Sequence, residues 1–234
     1  SEYAKSQRML EAAIAECGEM DEAQIRACAR RDLAYLLNEQ GDSGQALTML
    51  RQKVLPVFQE LSHPAEQAET MGQIADILQA RGQLEDALRI RETEELPVYE
   101  RLGDVRSKAV TMGQIADILQ ARGQLEDALR IRETEQLPMY ERLGDAHALL
   151  IGRTKLAMLL RQMDTERNKS FAKLKKGMRR LLIFSSRRND KINYDSRIEE
   201  LLRLALADAQ RLRLPEAEQI QGIMGQFGIR ENSR

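Results

Sequence analysis

The reactive side chains of this chain are few, and their spacing limits the chemistry they could do. Its 234 residues include two cysteines, Cys17 and Cys28, eleven positions apart, and two histidines, His63 and His147. No Cys/His spacing suits a tetrahedral zinc site, and no Ser/His/Asp or Cys/His set points to a nucleophile with its base. Both cysteines fall on helical segments and read as small buried hydrophobes in a reducing compartment. What remains is charge. Residues 165–196 (TERNKSFAKLKKGMRRLLIFSSRRNDKINYDS) hold ten Lys/Arg against three Asp/Glu, or +7, so with a total of −1 the rest of the chain carries −8. Phe171, Leu174, Met178 and Leu181 follow helical spacing there, and Lys173, Lys175, Lys176, Arg179 and Arg180 fill much of the remainder. A basic amphipathic helix fits a membrane surface, a calmodulin-like groove, a nucleic acid or an acidic partner protein, and equally a packing helix with a solvated basic face. Nucleic acid is the least favoured of these, because the rest of the chain is acidic and aromatic residues for base stacking amount to only 4%.

The elements that must carry these residues are helices. Ala, Leu, Glu, Arg and Gln dominate, while 14 Gly, 5 Pro and no Trp leave little material for the turns and core of a β-sandwich. No apolar run approaches the roughly 18 residues of a membrane span. The opening SEYAKSQRMLEAA is amphipathic and charged rather than a leader, and its lack of an initiator Met reads as a piece of a longer protein.

Self-comparison gives the architecture. Residues 70–110 match 111–151 at 33 of 41 positions without a gap. A further step back aligns 29–69, placing Leu33, Ala34, Gly41, Ala46, Leu47 and Pro56 on Ile74, Ala75, Gly82, Ala87, Leu88 and Pro97; a step forward places Leu156, Ala157 and Leu160 on Ile115, Ala116 and Leu119. A period of this size means units that bury their apolar faces only against neighbours. In each unit Ile74, Ala75, Ile77 and Leu78 make the stripe of a helix A, and Gly82 is placed to end it in the left-handed conformation. Leu84, Ala87 and Leu88 open a helix B. Counting 100° per residue returns Val98, Tyr99 and Leu102 to the same face. Pro97 interrupts that helix, and so do Pro56 and Pro138 at the same place in their copies. A proline there obstructs the bond to the carbonyl four residues back, so a bend is expected once per unit. Gly103 then ends helix B, Asp104 and Asp145 are typed to cap the next helix A, and in the first unit Ser62 takes that capping role ahead of Pro64.

The run ADILQARGQLEDALRI resembles the tetratricopeptide repeat (TPR). Gly82 matches its turn glycine, Ile74 and Leu78 its helix A positions and Ala87 its helix B alanine; Ile115, Leu119, Gly123 and Ala128 repeat the set. The unit departs from the family in its length of 41 residues, its extended helix B and Ala75 in place of the usual glycine. The near-identity of adjacent copies is similar to a class of bacterial TPR-like proteins with repeats of about 42 residues. The ending LLRLALADAQRLRLPEAEQIQGIMGQFGI resembles the capping helices of such arrays. The resemblance implies an all-α fold, a right-handed α-solenoid of helix-turn-helix repeats with a C-terminal helical cap. Its parts are expected at 1–28 (an N-terminal capping helix and the start of the first repeat), 29–164 (repeats 29–69, 70–110, 111–151 and part of one at 152–164), 165–196 (the basic segment, an insertion) and 197–234 (the capping helices).

By that resemblance the concave face built by helices A holds a peptide or partner protein. Carrying its inner-face positions across gives Asp76 with Gln79, Asp117 with Gln120, Tyr35 with Asn38, and Met158 with Arg161. Two stacked Asp and Gln pairs would form a mildly acidic polar ladder for a basic or amide-rich peptide, or plain soluble surface. Carboxylates repeated by duplication do not serve acid/base catalysis, which needs two unlike environments. No enzyme, cofactor or metal is therefore expected. The function expected is a cytoplasmic protein–protein interaction scaffold or sensor, part of a larger bacterial signalling or defence protein. The alternatives are a homo-oligomer assembled through the array ends, or the basic segment acting as the binding element. The helix from 146, AHALLIGRTKLAMLLRQM, is more apolar than its counterparts and is expected to bury that surface against the C-terminal cap or against another chain, the cap being favoured.

Overall fold

The computed structural model describes residues 2–16, 23–178 and 194–230, with side chains described for 5–15, 23–170 and 194–230. Every regular element among them is helical. The chain divides into two compact units, Ser1–Arg122 and Gly123–Arg234, the boundary falling within the third copy.

The first unit runs α1 (Glu2–Glu16), α2 (Ala23–Glu39), α3 (Ser43–Met49), α4 (Leu55–Glu60), α5 (Pro64–Ala80), α6 (Leu84–Ile90), α7 (Leu96–Leu102) and α8 (Val105–Ala121). Helices A are α2, α5 and α8. Small residues sit where helices cross: Ala34, Ala75, Ala116, Ala46 and Ala87 have no exposed surface, and Ile74, Ile77 and Leu78 are buried around them. Alanine at these points lets two backbones approach while the larger aliphatics fill the space beside them. Gly82, at φ +76°, ends α5 as its position required, with Gln83 N–H reaching back to the Leu78 carbonyl at 2.9 Å. Asp104 caps α8 by accepting from Ser107 N–H at 2.9 Å and Ser107 Oγ at 2.8 Å, bonds that hold its carboxyl below the usual carboxylate range.

Helix B solves its proline problem in a way the sequence count did not anticipate. Between α3 and α4 the residues Leu50–Val54 form a π-turn, and Arg91–Glu95 do the same between α6 and α7. Leu96 N–H bonds the Arg91 carbonyl five residues back, and the wider ring carries the chain past Pro97 at the start of α7. The π-turn occurs whether its sequence is LRQKV or RETEE, and both are followed by Leu-Pro. The proline, which all copies share, is thus its common cause. The turn also adds one residue, roughly 100° of rotation, so the straight helical count fails beyond it. Tyr99 is buried as expected, but Leu102 is 48% exposed, and in the next copy Leu143 is 45% exposed.

The first junction is corrected as well. Ser62 does not cap α5; it adopts φ +54°, the left-handed conformation that Gly103 and Gly144 take in the later copies, and His63 stands at the N-cap without a side-chain bond.

The second unit runs α9 (Leu125–Ile131), a π-turn at Arg132–Gln136, α10 (Leu137–Leu143), α11 (Ala146–Met178), α12 (Tyr194–Leu212) and α13 (Glu216–Gln226). Asp145 caps α11 by accepting from Ala148 N–H at 3.0 Å. Gly152 permits a close approach: a Cβ there would lie 2.7 Å from Leu137 Cδ2. Helix α11 does not stop near Asp164 but continues unbroken through 33 residues into the basic stretch. Its apolar face, with Leu149, Leu150, Leu156, Leu159 and Leu160 buried, meets the C-terminal helices, as the sequence reading favoured. Helix α12 runs antiparallel to it: Arg153 Nη1 meets Asp208 at 2.7 Å and Arg161 Nη1 meets Asp195 at 3.3 Å. His147 Nε2 pairs with Glu216 of α13 at 3.1 Å. Among the described residues no helix is long and apolar enough to cross a membrane.

Ser62 carries the cost of a left-handed non-glycine residue, about 1–2 kcal/mol. Ser62→Gly is therefore expected to stabilise the chain by about 0.5–1 kcal/mol after the extra unfolded-state entropy of glycine is subtracted. Urea denaturation followed by circular dichroism measures this; unchanged or lower stability would contradict the assignment.

Candidate functional site

The face of helices A in the first unit carries the sequence-chosen residues Tyr35 and Asn38 on α2, Asp76 and Gln79 on α5, and Asp117 and Gln120 on α8. Tyr35 is 55% exposed, the Asp76 side chain 53%, and Asn38, Gln79, Asp117 and Gln120 are half-buried. Asn38 Oδ1 accepts from Ser43 Oγ at 2.8 Å, which ties it to its own turn.

Asp76 is not a free acid. Arg91, on the π-turn of the same copy, is completely buried and directs its guanidinium at that face. Its Nη2 meets Asp76 Oδ1 at 2.5 Å, and its Nη1 donates to Glu95 Oε2 at 2.8 Å and to Gln114 Oε1 at 2.8 Å. Glu95, 4% exposed, also accepts from Thr111 Oγ1 at 2.9 Å through its other oxygen. One cation therefore joins helix A of one copy, the π-turn of that copy and helix A of the next. Gly72 is what makes room for the pair: a Cβ there would lie 2.9 Å from Glu95 Oε1, against a carboxylate already tied down on both oxygens.

Two carboxylates share this one guanidinium. Burial raises the Glu95 carboxyl above its ordinary value of 4.5, with the Arg91 charge and the Thr111 and Arg91 hydrogen bonds opposing. Desolvation likewise raises Asp76 above 3.8 against the pull of Arg91. Tyr99, buried near Glu95 on the same helix B, is pushed up to about 12 by desolvation and then by that carboxylate.

The equivalent buried positions change along the chain. The first copy has Leu50 and Val54, both without exposed surface, where the second has Arg91 and Glu95. The third has buried Arg132, whose Nη1 donates to Gln136 Oε1 at 3.0 Å. Sequence reading missed Arg91, Glu95, Gly72, Thr111 and Gln114. A signal was present: forty-one residues before Arg91 and Glu95 stand Leu50 and Val54, apolar residues four apart on a helix that must face inward.

In the second unit Arg161 is not on an open face. Its guanidinium lies 5.4 Å from the Phe227 ring centre and pairs with Asp195, at the edge of a cleft of about 540 Å3 also lined by Glu199, Arg203 and Arg230. Met158, one turn earlier, is 48% exposed. Lys173, Lys175 and Lys176 fall on the last turns of α11, and their side chains lie outside the described residues, as do Arg179, Arg180 and Cys17. Among the described residues no group of His, Cys, Asp and Glu is arranged to hold a metal ion.

No protein-family description matches this sequence, and no curated protein matches it. Solved structures do. BtubC (BKLC) from P. vanneervenii is 17% identical and superposes over 100% of this chain and 92% of its own, with a TM-score of 0.58. A kinesin-light-chain-like protein of Podosopora anserina, with nearly identical TPR-like repeats, is 19% identical over 88% of this chain and 98% of its own, with a TM-score of 0.54. The fold is that of TPR-like helical-repeat proteins, an all-helical repeat solenoid.

Removing one member of the buried cluster is expected to cost more than replacing the pair. Glu95→Ala leaves Arg91 buried with a single partly exposed carboxylate and should destabilise by about 3–5 kcal/mol. Arg91→Leu with Glu95→Val installs the first copy's own residues and should stay within about 1 kcal/mol of wild type or exceed it. Chemical denaturation of both variants decides; equal losses would refute the account. Because the folded state raises the Glu95 pKa, it holds that proton more tightly than the unfolded chain does. Stability then falls as pH rises from about 4.5 through the raised value, and is regained on acidification. The wild type should accordingly lose stability relative to Glu95→Gln over that interval, and a pH-independent difference would contradict it.

Proposed function

We propose that this chain is a non-enzymatic interaction module that binds an extended peptide or a partner protein on the face of helices A. The observation that carries this is the row of half-exposed polar side chains, Asn38, Asp76, Gln79, Gln114 and Gln120, on successive helices A, one of them held from beneath by a buried arginine. Structure that buries a guanidinium to position a solvent-facing carboxylate is costly for surface that has no task. The TPR-like fold supports the same reading as an analogy, since helical repeats present long surfaces. Arg91 is shared with Glu95 and so does not cancel the Asp76 charge, but it occupies one Asp76 oxygen and leaves a face made mostly of amides, Gln79, Gln114 and Gln120. We therefore favour an amide-rich over a strongly basic ligand. The parent protein in this reading is a larger bacterial signalling or defence protein that works in the cytoplasm.

Assembly of copies through the array ends is less favoured, because α12 and α13 cover the apolar face of α11. In the remaining alternative the basic segment 167–195 is itself the binding element, for an acidic partner or a membrane surface with nucleic acid the less suitable ligand, and the array is its mount.

The test is a selection of peptides from a random display library against this chain, followed by titration of the selected peptides. Replacing Asp76, Gln79, Asp117 and Gln120 by Ala together should weaken binding at least about tenfold, equivalent to 1.4 kcal/mol, with helicity unchanged. Peptides that bind this variant as tightly as wild type would overturn the reading. So would binding that disappears on deleting residues 167–195 but survives the four alanines.

A further inference from the structure

The guanidinium of Arg91 also decides which atoms of its neighbours remain available. Arginine has donors only, so the Gln114 atom facing Arg91 Nη1 at 2.8 Å must be the side-chain oxygen, and the amide NH2 is thereby turned away from it. Arg91 Nη2 takes Asp76 Oδ1, which leaves Oδ2 as an acceptor. Among the described residues neither Asp76 Oδ2 nor Gln114 Nε2 has a hydrogen-bond partner, and both residues retain exposure. Two neighbouring helices A thus offer one acceptor and one donor group, set side by side because both bind the same planar, immobile cation.

We propose that Asp76 and Gln114 form an amide-reading pair, with Arg91 as the positioning residue beneath them. This rests on the peptide-binding reading given above. An amide group of the ligand donates its N–H to Asp76 Oδ2 and accepts at its C=O from Gln114 Nε2. The group is either the N–H and C=O of one residue of an extended peptide, which point to the same side of the strand, or the side-chain amide of Asn or Gln, whose syn N–H lies beside its C=O. A carboxylate ligand is rejected by Asp76, and an ammonium finds no acceptor in the Gln114 amide.

The pair belongs to one junction only. In the first copy Leu50 stands where Arg91 does and Tyr35 where Asp76 does. Gln73, which corresponds to Gln114, accordingly has a buried side-chain oxygen without a hydrogen bond. At the following junction Asp117 keeps the Asp76 position and Arg132 the Arg91 position, but Lys155 replaces Gln114 and offers no amide. Copies that are otherwise nearly identical therefore carry a single amide-reading point, which would fix the register of a bound peptide along the face.

The test uses the blocked peptides acetyl-AANAA-amide and acetyl-AALAA-amide, titrated into 15N-labelled full chain and followed at the Gln114 side-chain NH2 resonances. Perturbation by both peptides assigns the backbone amide as the ligand group, and selective perturbation by the Asn peptide assigns the side-chain amide; either supports the pair. Gln114→Glu keeps an oxygen for Arg91 but replaces the outward donor by an acceptor, so affinity should fall at least about tenfold with the fold intact. Arg91→Leu with Glu95→Val, which releases the pair from its anchor, should weaken binding about fivefold or more while leaving both reading residues in place. Shifts at Asn38, Gln79 and Gln120 with no change at Gln114, or unaltered affinity in Gln114→Glu, would overturn the pair while the helix A reading stands. Absence of shifts at every helix A position would overturn both.

Discussion

A proline in the middle of each helix B removes one backbone donor, and the described structure follows from how that loss is absorbed. A kink would have aimed the second half of each helix away from its neighbours. The π-turn instead lets the helix continue, at the expense of one extra residue in the turn. Side chains also bond carbonyls around the joint: Thr93 Oγ1 donates to the Arg89 carbonyl at 2.8 Å, Thr134 repeats this on Arg130, and Arg101 Nε reaches the Pro97 carbonyl at 3.3 Å. The first and last residues of each π-turn then both face inward, which is how Leu50 with Val54, Arg91 with Glu95, and Arg132 with Gln136 come to be buried.

Those paired inward positions are where the copies express their differences. A solvent-facing substitution would change little, but a buried one must agree with the residues across from it. Glu95 requires a glycine at 72 and gains a hydroxyl at 111; Arg91 requires oxygens at 76 and 114. The cluster couples secondary structure to surface chemistry, because the same guanidinium that joins two helices A also sets the orientation of two groups on their exposed side. Desolvation of Glu95 and Asp76 accompanies that coupling, so this part of the first unit is held together at some electrostatic cost.

Much of the fold was legible in the sequence because repetition supplies its own alignment. The 41-residue period, the helix A stripe of Ile74, Ala75, Ile77 and Leu78, the left-handed Gly82 and Gly103, and the Asp104 and Asp145 caps are local features with local causes. Leu102 was misjudged because a residue count at a fixed 100° cannot register a π-turn, and Leu143 shares its exposure. Ser62 was misjudged because a serine before a proline looks like a cap, whereas its alignment with Gly103 carries the stronger information. The anchor of the candidate site was least legible. Arg91, Glu95 and Gln114 are ordinary surface residues of a helix until packing brings three elements onto one cation.

Near-identical tandem copies are prone to unequal recombination, in which one unit is lost without disturbing the reading frame. The buried carboxylate of Glu95, which is Gln136 in the next copy, gives such an event a direction. Loss of the first of the twin copies, 70–110, would set Leu50 and Val54 in register with Thr111, Gly113 and Gln114, the same residue types as the Thr70, Gly72 and Gln73 that hold this register now. Loss of the second, 111–151, would carry Arg91 and Glu95 to the register that Arg132 and Gln136 now hold beside Lys155 and would exchange Thr111 for Gly152, so that Glu95 loses its hydroxyl donor. The two deletions leave almost the same sequence and both keep an arginine in register with Lys155, yet only the second leaves the Glu95 carboxylate without its hydroxyl partner. The carboxylate buried in one copy thus makes contraction of the array asymmetric, a heritable constraint on how this gene can change its length.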